Sequence, residues 1–144
     1  AGQTVKMCNQ MMVAANVVDE VASELAAGME RARQAGVATD ALVLDPGIGF
    51  AKKAEHSATV LARLDSLQAL DRPILSGPSR KSFLKAALGE RAPADREWGT
   101  AAAVTASILN GAHIVRVHGV RAMVDVVRVA DLIANAAGNS LAPP

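Results

Sequence analysis

The stretch ALVLDPGIGF, residues 41–50, sets a short apolar run against a carboxylate, a Pro-Gly turn and a second glycine. A run of this length, bounded by turn residues, reads as a buried strand over 41–45. Alternate strand residues share a face. Ala41, Val43 and Asp45 therefore face one way, and Leu42 and Leu44 the other. Asp45 ends a face that is otherwise apolar, so its carboxylate must find a partner or stay at the rim. Two readings are open. Asp45 could hold two donors of a planar, guanidine-like heterocycle edge, or it could cap the next turn, since Asp-Pro-Gly is a common turn starter. On position alone the cap is the simpler reading.

Working outward, helix and strand patterns alternate. Residues 1–15 have no clear period and read as a loop. From Asn16 onward, Val17, Val18, Val21, Leu25 and Met29 recur at helical spacing, with acids in the first turn and Arg31 and Arg33 near the end. Gly36 is the expected stop. After the strand at 41–45, Val60, Leu61, Leu64, Leu67 and Leu70 make one stripe of a helix over 56–70. PILS (73–76) reads as the second strand, SRKSFLKAALG (79–89) as a short helix, and an Ala-rich helix follows over 96–109, closed by Asn110-Gly111. HIVRV (113–117) is the third strand, 120–138 the last helix and 139–144 a tail. Strands separated by helices argue for a parallel sheet in an α/β fold. An open doubly wound sheet and a closed (β/α)8 barrel both fit, and both place ligands at the C-terminal strand ends.

The bulk numbers narrow the function. A length of 144 residues suits one domain or part of one, and a net charge of +1 sets up no strong field toward nucleic acid or an anionic membrane. Cys8 is the only cysteine. No internal disulfide can form, which suits the reducing cytoplasm. The apolar runs are too short to span a bilayer, and no basic stretch followed by an apolar one opens the chain. The chain begins with Ala rather than Met, as a processed, tagged or excised piece would. With no Tyr, one Trp and two Phe, it has few platforms for stacking bases. A small-molecule ligand is expected, with no nucleic acid and no membrane as partner.

Three motifs carry the chemistry. Gly47 and Gly49 make G-x-G, but Lys52 occupies the sixth position and the next strand ends in Ser76-Gly77 rather than an acid. The dinucleotide fingerprint therefore fails. The glycines more simply permit unusual backbone angles and close approach. In SGPSRKSF (76–83), Ser79 can cap a helix whose first turn holds Arg80, Lys81 and Ser82. Cations there oppose the helix dipole, and such local conflicts tend to mark sites. A nearby anion or electron-rich carbonyl would remove the conflict; a solvated pair of charges is the plainer alternative. No Walker A loop is present. In HIVRVH (113–118), Ile114, Arg116 and His118 share one face, and His113, Val115 and Val117 the other. Arg116 suits bidentate phosphate recognition, and His118 can donate beside it; a structural carboxylate paired with Arg116 is the alternative. His56 and His113 read as structural. Together the motifs describe a pocket for a planar polar heterocycle carrying a phosphate or pyrophosphate.

In LDPGIGF, SRKSF and HIVRVHG, the sequence resembles the dihydropteroate synthases, the folate-pathway family inhibited by sulfonamides. The resemblance implies a (β/α)8 TIM barrel, with residues 1–144 as the C-terminal portion of one pterin-binding domain holding its last three βα units; GQTVKM resembles a loop of that family. It implies a transferase that joins p-aminobenzoate to 6-hydroxymethyl-7,8-dihydropterin pyrophosphate. Carried over by motif, Asp45 pairs with the amino-pyrimidine edge of the pterin. Lys81 contacts the pterin ring and the p-aminobenzoate pocket, bordered by Ser82 and Phe50. Arg116 and His118 bind the leaving pyrophosphate, and Gly77 gives the pterin room. The family implies Mg2+, whose ligand is not in this chain. A homodimer or a complementing chain that completes the barrel is the expected macromolecular partner. A methyltetrahydrofolate-type methyltransferase barrel is the runner-up, but it needs no pyrophosphate site; a non-catalytic fragment is the other alternative. With so few strands of a barrel, the chain alone is expected to be weakly active or inactive.

Overall fold

A computed structural model of the chain describes residues 3–6, 17–50 and 53–138. Its elements are β1 (Gln3–Lys6), α1 (Val17–Gln34), β2 (Leu42–Asp45), α2 (Ala54–Ala62), β3 (Leu75–Ser76), α3 (Lys85–Leu88), α4 (Glu97–Leu109), β4 (Ile114–Val115) and α5 (Val120–Ala136). The expected tail at 139–144, most of the expected loop at 1–15, and Lys52 lie outside the described residues.

β1 pairs with β2 and β3 with β4, both parallel. A single parallel bridge between Leu44 and Ile74 joins the two pairs, supported by Leu44 N–H donating to the Pro73 carbonyl at 2.8 Å. The strand order is thus β1-β2-β3-β4, the parallel α/β arrangement expected from helix–strand alternation. β1 corrects the reading of residues 1–15 as loop throughout, and raises the count of strands from the expected three to four among the described residues. Its hydrogen-bond partners lie about forty residues downstream, in register Gln3 with Leu42 and Lys6 with Asp45, beyond the reach of any local period.

The alternation holds from Leu42 to Leu44, whereas Ala41, expected in the strand, ends a 3-10 turn at Thr39–Ala41, and Asp45 is buried like Leu44. Leu42 and Leu44 are 1% and 0% exposed. Leu44 joins Val21 and Leu25 of α1, Val60 and Leu61 of α2, and Ile74 in the larger core. A second cluster gathers Val104 and Ile108 of α4 with Met123 and Ala130 of α5, and Val115 and Val117 pack on it. Burying a side chain the size of leucine stabilises the fold by about 1.5–3 kcal/mol. On the opposite sheet face Val43 and Leu75 are half-buried and Ile114 is exposed. That face has no covering layer among the described residues.

Two helix readings are corrected. The helix expected over 56–70 is α2 followed by a 3-10 turn at Leu64–Leu70, broken at Arg63. Leu64 and Leu67 stay fully buried because their spacing of three suits either helix type. The helix expected over 79–89 is a 3-10 turn at Ser82–Leu84 leading into the single turn of α3. α4 is preceded by a 3-10 turn at Pro93–Arg96. Trp98, one residue into α4, projects into solvent at 87% exposure. No helix among the described residues is long and apolar enough to cross a membrane.

Candidate functional site

Asp45 ends β2 with a buried carboxylate. Its Oδ1 accepts the Gly47 N–H at 2.9 Å, so the cap reading is correct for one oxygen. Its Oδ2 faces Arg116 NH2 at 3.9 Å, so the structural-partner reading of Arg116 is present as a long contact. At 3.9 Å this is an ion pair without a hydrogen bond. Arg116 follows β4, two strands from Asp45, with the end of β3 between them. The residue between is Gly77. A Cβ there would lie 3.1 Å from Arg116 NH2, tighter than ordinary packing allows. A side chain there would crowd the guanidinium, which lies across the end of β3 toward the carboxylate, and would make it shift by a few tenths of an ångström. The Arg116 N–H donates to the Ser76 carbonyl at 2.9 Å, and its side chain is 56% exposed.

His118 continues the same segment. Its Nδ1 lies 2.8 Å from Ser79 Oγ, and its N–H donates to that oxygen at 3.2 Å. Ser79 is therefore not the expected helix cap; it ties the loop after β3 to the loop after β4. A second tie lies beneath. Ser107 Oγ donates to the Ala103 carbonyl at 2.7 Å, and Ser76 Oγ sits 2.9 Å from Ser107 Oγ. One hydroxyl has one proton, so Ser76 is the donor to Ser107.

Lys81 reaches the glycine loop of β2. Its Nζ donates to the Ile48 carbonyl and lies 3.8 Å from the centroid of the Phe50 ring, a cation–π geometry. Its stem packs on Gly49, which has φ +78°; a Cβ at that position would lie 2.6 Å from Lys81 Cδ. Gly49 is thus required twice, for its backbone angle and for the lysine stem. Gly49 N–H donates to the buried Ser57 hydroxyl at 3.1 Å, which anchors the loop to α2. Phe50 itself is exposed.

Asp45, Phe50, Gly77, Lys81, Arg116 and His118 thus meet at one rim, the C-terminal edge of the parallel strands. Ser82 stands apart: it is exposed at the start of its 3-10 turn, and its hydroxyl makes no hydrogen bond to the other site residues among the described residues. The two remaining histidines lie apart from these residues in the hydrogen-bond pattern. His56 is buried on α2, and His113 Nδ1 accepts the Ile74 N–H at 3.2 Å.

Arg80 departs from the expected picture of free charge in a helical turn. It adopts φ +57° ahead of the helix, a conformation that costs an L-residue about 1–2 kcal/mol. Its Nε donates to Glu97 Oε2 at 2.8 Å and its N–H to Thr100 Oγ1 at 2.9 Å. Arg96 NH1 donates to its carbonyl at 2.9 Å. These α4 partners, and Ser79, were missed in the sequence. The available signal was Thr100 and Ser107, buried hydroxyl residues one and three turns into an Ala-rich helix.

The family described as pterin binding enzyme matches residues 1–118. A dihydropteroate synthase of Synechocystis is 44% identical over 118 residues, covering 82% of this chain and 41% of that protein. The Yersinia pestis DHPS solved with a pterine–sulfa conjugate superposes with a TM-score of 0.84 at 32% identity, covering 90% of this chain and 51% of the other. The Xanthomonas albilineans dihydropteroate synthase in complex with 7,8-dihydropteroate gives 0.83 at 34% identity, covering 88% and 48%. The chain thus spans about two fifths of the curated relative and half of the solved ones.

Proposed function

Since the chain belongs to the pterin binding enzyme family, we propose that it supplies the C-terminal side of a dihydropteroate synthase site in a (β/α)8 barrel. The observation that carries this reading is the approach of Asp45 and Arg116 to 3.9 Å across Gly77. A carboxylate for an amino-pyrimidine edge and a guanidinium for a phosphate then open onto the same rim, where one small ligand can reach both.

In this reading the pterin ring lies on the strand ends, with Asp45 Oδ2 accepting from its amino-pyrimidine edge. The bond between the pterin methylene and the pyrophosphate oxygen breaks, and the electron pair leaves with pyrophosphate. Arg116 and His118 stabilise that developing charge, which fixed donors do without reorganising. The amine nitrogen of p-aminobenzoate then bonds to the methylene and loses a proton. Lys81, held between the Ile48 carbonyl and the Phe50 ring, forms the wall between pterin and p-aminobenzoate, and Ser82 borders the second pocket. No covalent enzyme intermediate is needed. Among the described residues no three His, Cys, Asp or Glu side chains converge. They do not by themselves fit the magnesium ion of the family. The single cysteine suits a cytoplasmic setting.

Asp45→Asn separates the two jobs of this side chain. Asn keeps an acceptor for the Gly47 N–H, so stability should change by less than about 1 kcal/mol. Affinity for hydroxymethyldihydropterin, measured by titration calorimetry, should fall about 10- to 100-fold, the worth of a hydrogen bond to a charged group. An unchanged affinity would return Asp45 to being a turn cap and nothing more.

A closed barrel of this kind takes eight strands and about 250 residues. The 144 residues alone should therefore turn over weakly or not at all unless a second copy or another chain completes the barrel. A steady-state assay with dihydropterin pyrophosphate and p-aminobenzoate tests this directly. Turnover by the monomer at the ordinary enzyme rate of about 1–10³ per second would overturn it.

A further inference from the structure

We propose that Thr100, Glu97 and Arg96 act as positioning residues that hold Arg80 in its left-handed conformation and thereby aim Ser79 at His118 and Lys81 at Phe50. Arg80 is neither glycine nor asparagine, yet it sits at φ +57°. An L-residue stays there only where its surroundings over-determine it. They do so here at all three of its polar groups. The N–H is taken by Thr100 Oγ1, the carbonyl by Arg96 NH1 and the guanidinium by Glu97 Oε2, at 2.9, 2.9 and 2.8 Å. All three partners come from the start of α4 and the turn before it, and none of them stands at the rim.

The reversal at Arg80 sends its two neighbours to different motifs. Ser79 meets the ring and backbone N–H of His118. Lys81 meets the Ile48 carbonyl and the Phe50 ring. Glu97 also touches the third motif, because its second carboxylate oxygen lies against Gly119, where a Cβ would collide with it. A single carboxylate therefore sits between the loop after β3 and the loop after β4. What Lys81 and His118 are aimed for rests on the function proposed above; the aiming itself does not.

The test is proton NMR of the 144-residue chain. With Nζ over the Phe50 ring, the neighbouring Lys81 methylene protons are shifted upfield by the ring current. Thr100→Val keeps the shape of the side chain but removes the acceptor, and that upfield shift should be lost. Thr100→Ser restores the acceptor and should restore the shift. The methyl signals of Val21 and Leu25, in the distant core, should be the same in all three proteins. Should Thr100→Val lose methyl dispersion, Glu97→Gln becomes the deciding variant, with the same loss at Lys81 expected. The proposal is overturned by a shift that survives in both Thr100→Val and Glu97→Gln, by its absence from the unaltered chain, or by its loss in Thr100→Ser. Collapse of methyl dispersion in both Thr100→Val and Glu97→Gln also overturns it, since the contacts would then maintain the fold rather than aim a side chain. A chain that shows the shift and loses it as expected, yet binds no hydroxymethyldihydropterin, upholds the positioning role and sinks the functional reading instead.

Discussion

Arg116→Ala should lower the affinity for hydroxymethyldihydropterin pyrophosphate by about 10²–10³-fold, which is about 3–4 kcal/mol. Affinity for hydroxymethyldihydropterin without the pyrophosphate should fall by less than about tenfold, a tenfold step being about 1.4 kcal/mol. The asymmetry follows from where the guanidinium sits. It is 56% exposed and too far from Asp45 for a hydrogen bond, so it is not committed to that carboxylate. A contact this long, with its cation half in water, contributes little on its own, whereas two parallel bonds to a phosphate are worth much more. Parallel titrations of the two ligands decide the matter. Equal losses for both would mean that Arg116 serves Asp45 and the pterin end, and the leaving-group role would be lost.

Leu44→Ala is the corresponding experiment on the scaffold. Leu44 is fully buried, and its backbone makes the bridge that joins the two strand pairs. Truncation leaves a cavity against Val21, Leu25 and Ile74 and should cost about 3–5 kcal/mol. Domains of this kind are stable by only about 5–15 kcal/mol. A large drop in the urea midpoint is therefore expected, with outright unfolding within range. Leu132→Ala on α5, 68% exposed, is the control and should change stability by no more than about 0.5 kcal/mol. A cost below about 1 kcal/mol at Leu44 would mean that the core is not packed around β2 as described.

The alternation of Leu42 and Leu44 against Asp45 was legible because one strand buries one face, and a period of two records that directly. The three rim motifs were legible because each ends a strand and carries polar groups that a strand has no need for. Other features depend on partners far away in the chain. Gln3–Lys6 became a strand only by pairing with Leu42–Asp45. Arg80 takes its backbone angle from contacts made by Arg96 and Thr100, so nothing within SGPSRKSF shows it. Gly77 was read as space for a ligand, and the structure adds a nearer occupant, the Arg116 guanidinium. The break at Arg63 was hidden because buried residues three apart satisfy an α-helix and a 3-10 turn equally well.

The chain has no tyrosine and a single tryptophan, and that tryptophan is the exposed Trp98. Its fluorescence therefore carries almost no information about the core. An indole already in water emits much as it does in an unfolded chain, so global unfolding has to be followed by backbone circular dichroism instead. What Trp98 does report on is its own neighbour. It is adjacent to Glu97, the carboxylate paired with Arg80, so a change in its emission on adding a ligand would be a local optical signal from the first turn of α4. The absence of every other bright chromophore makes that signal readable without labelling.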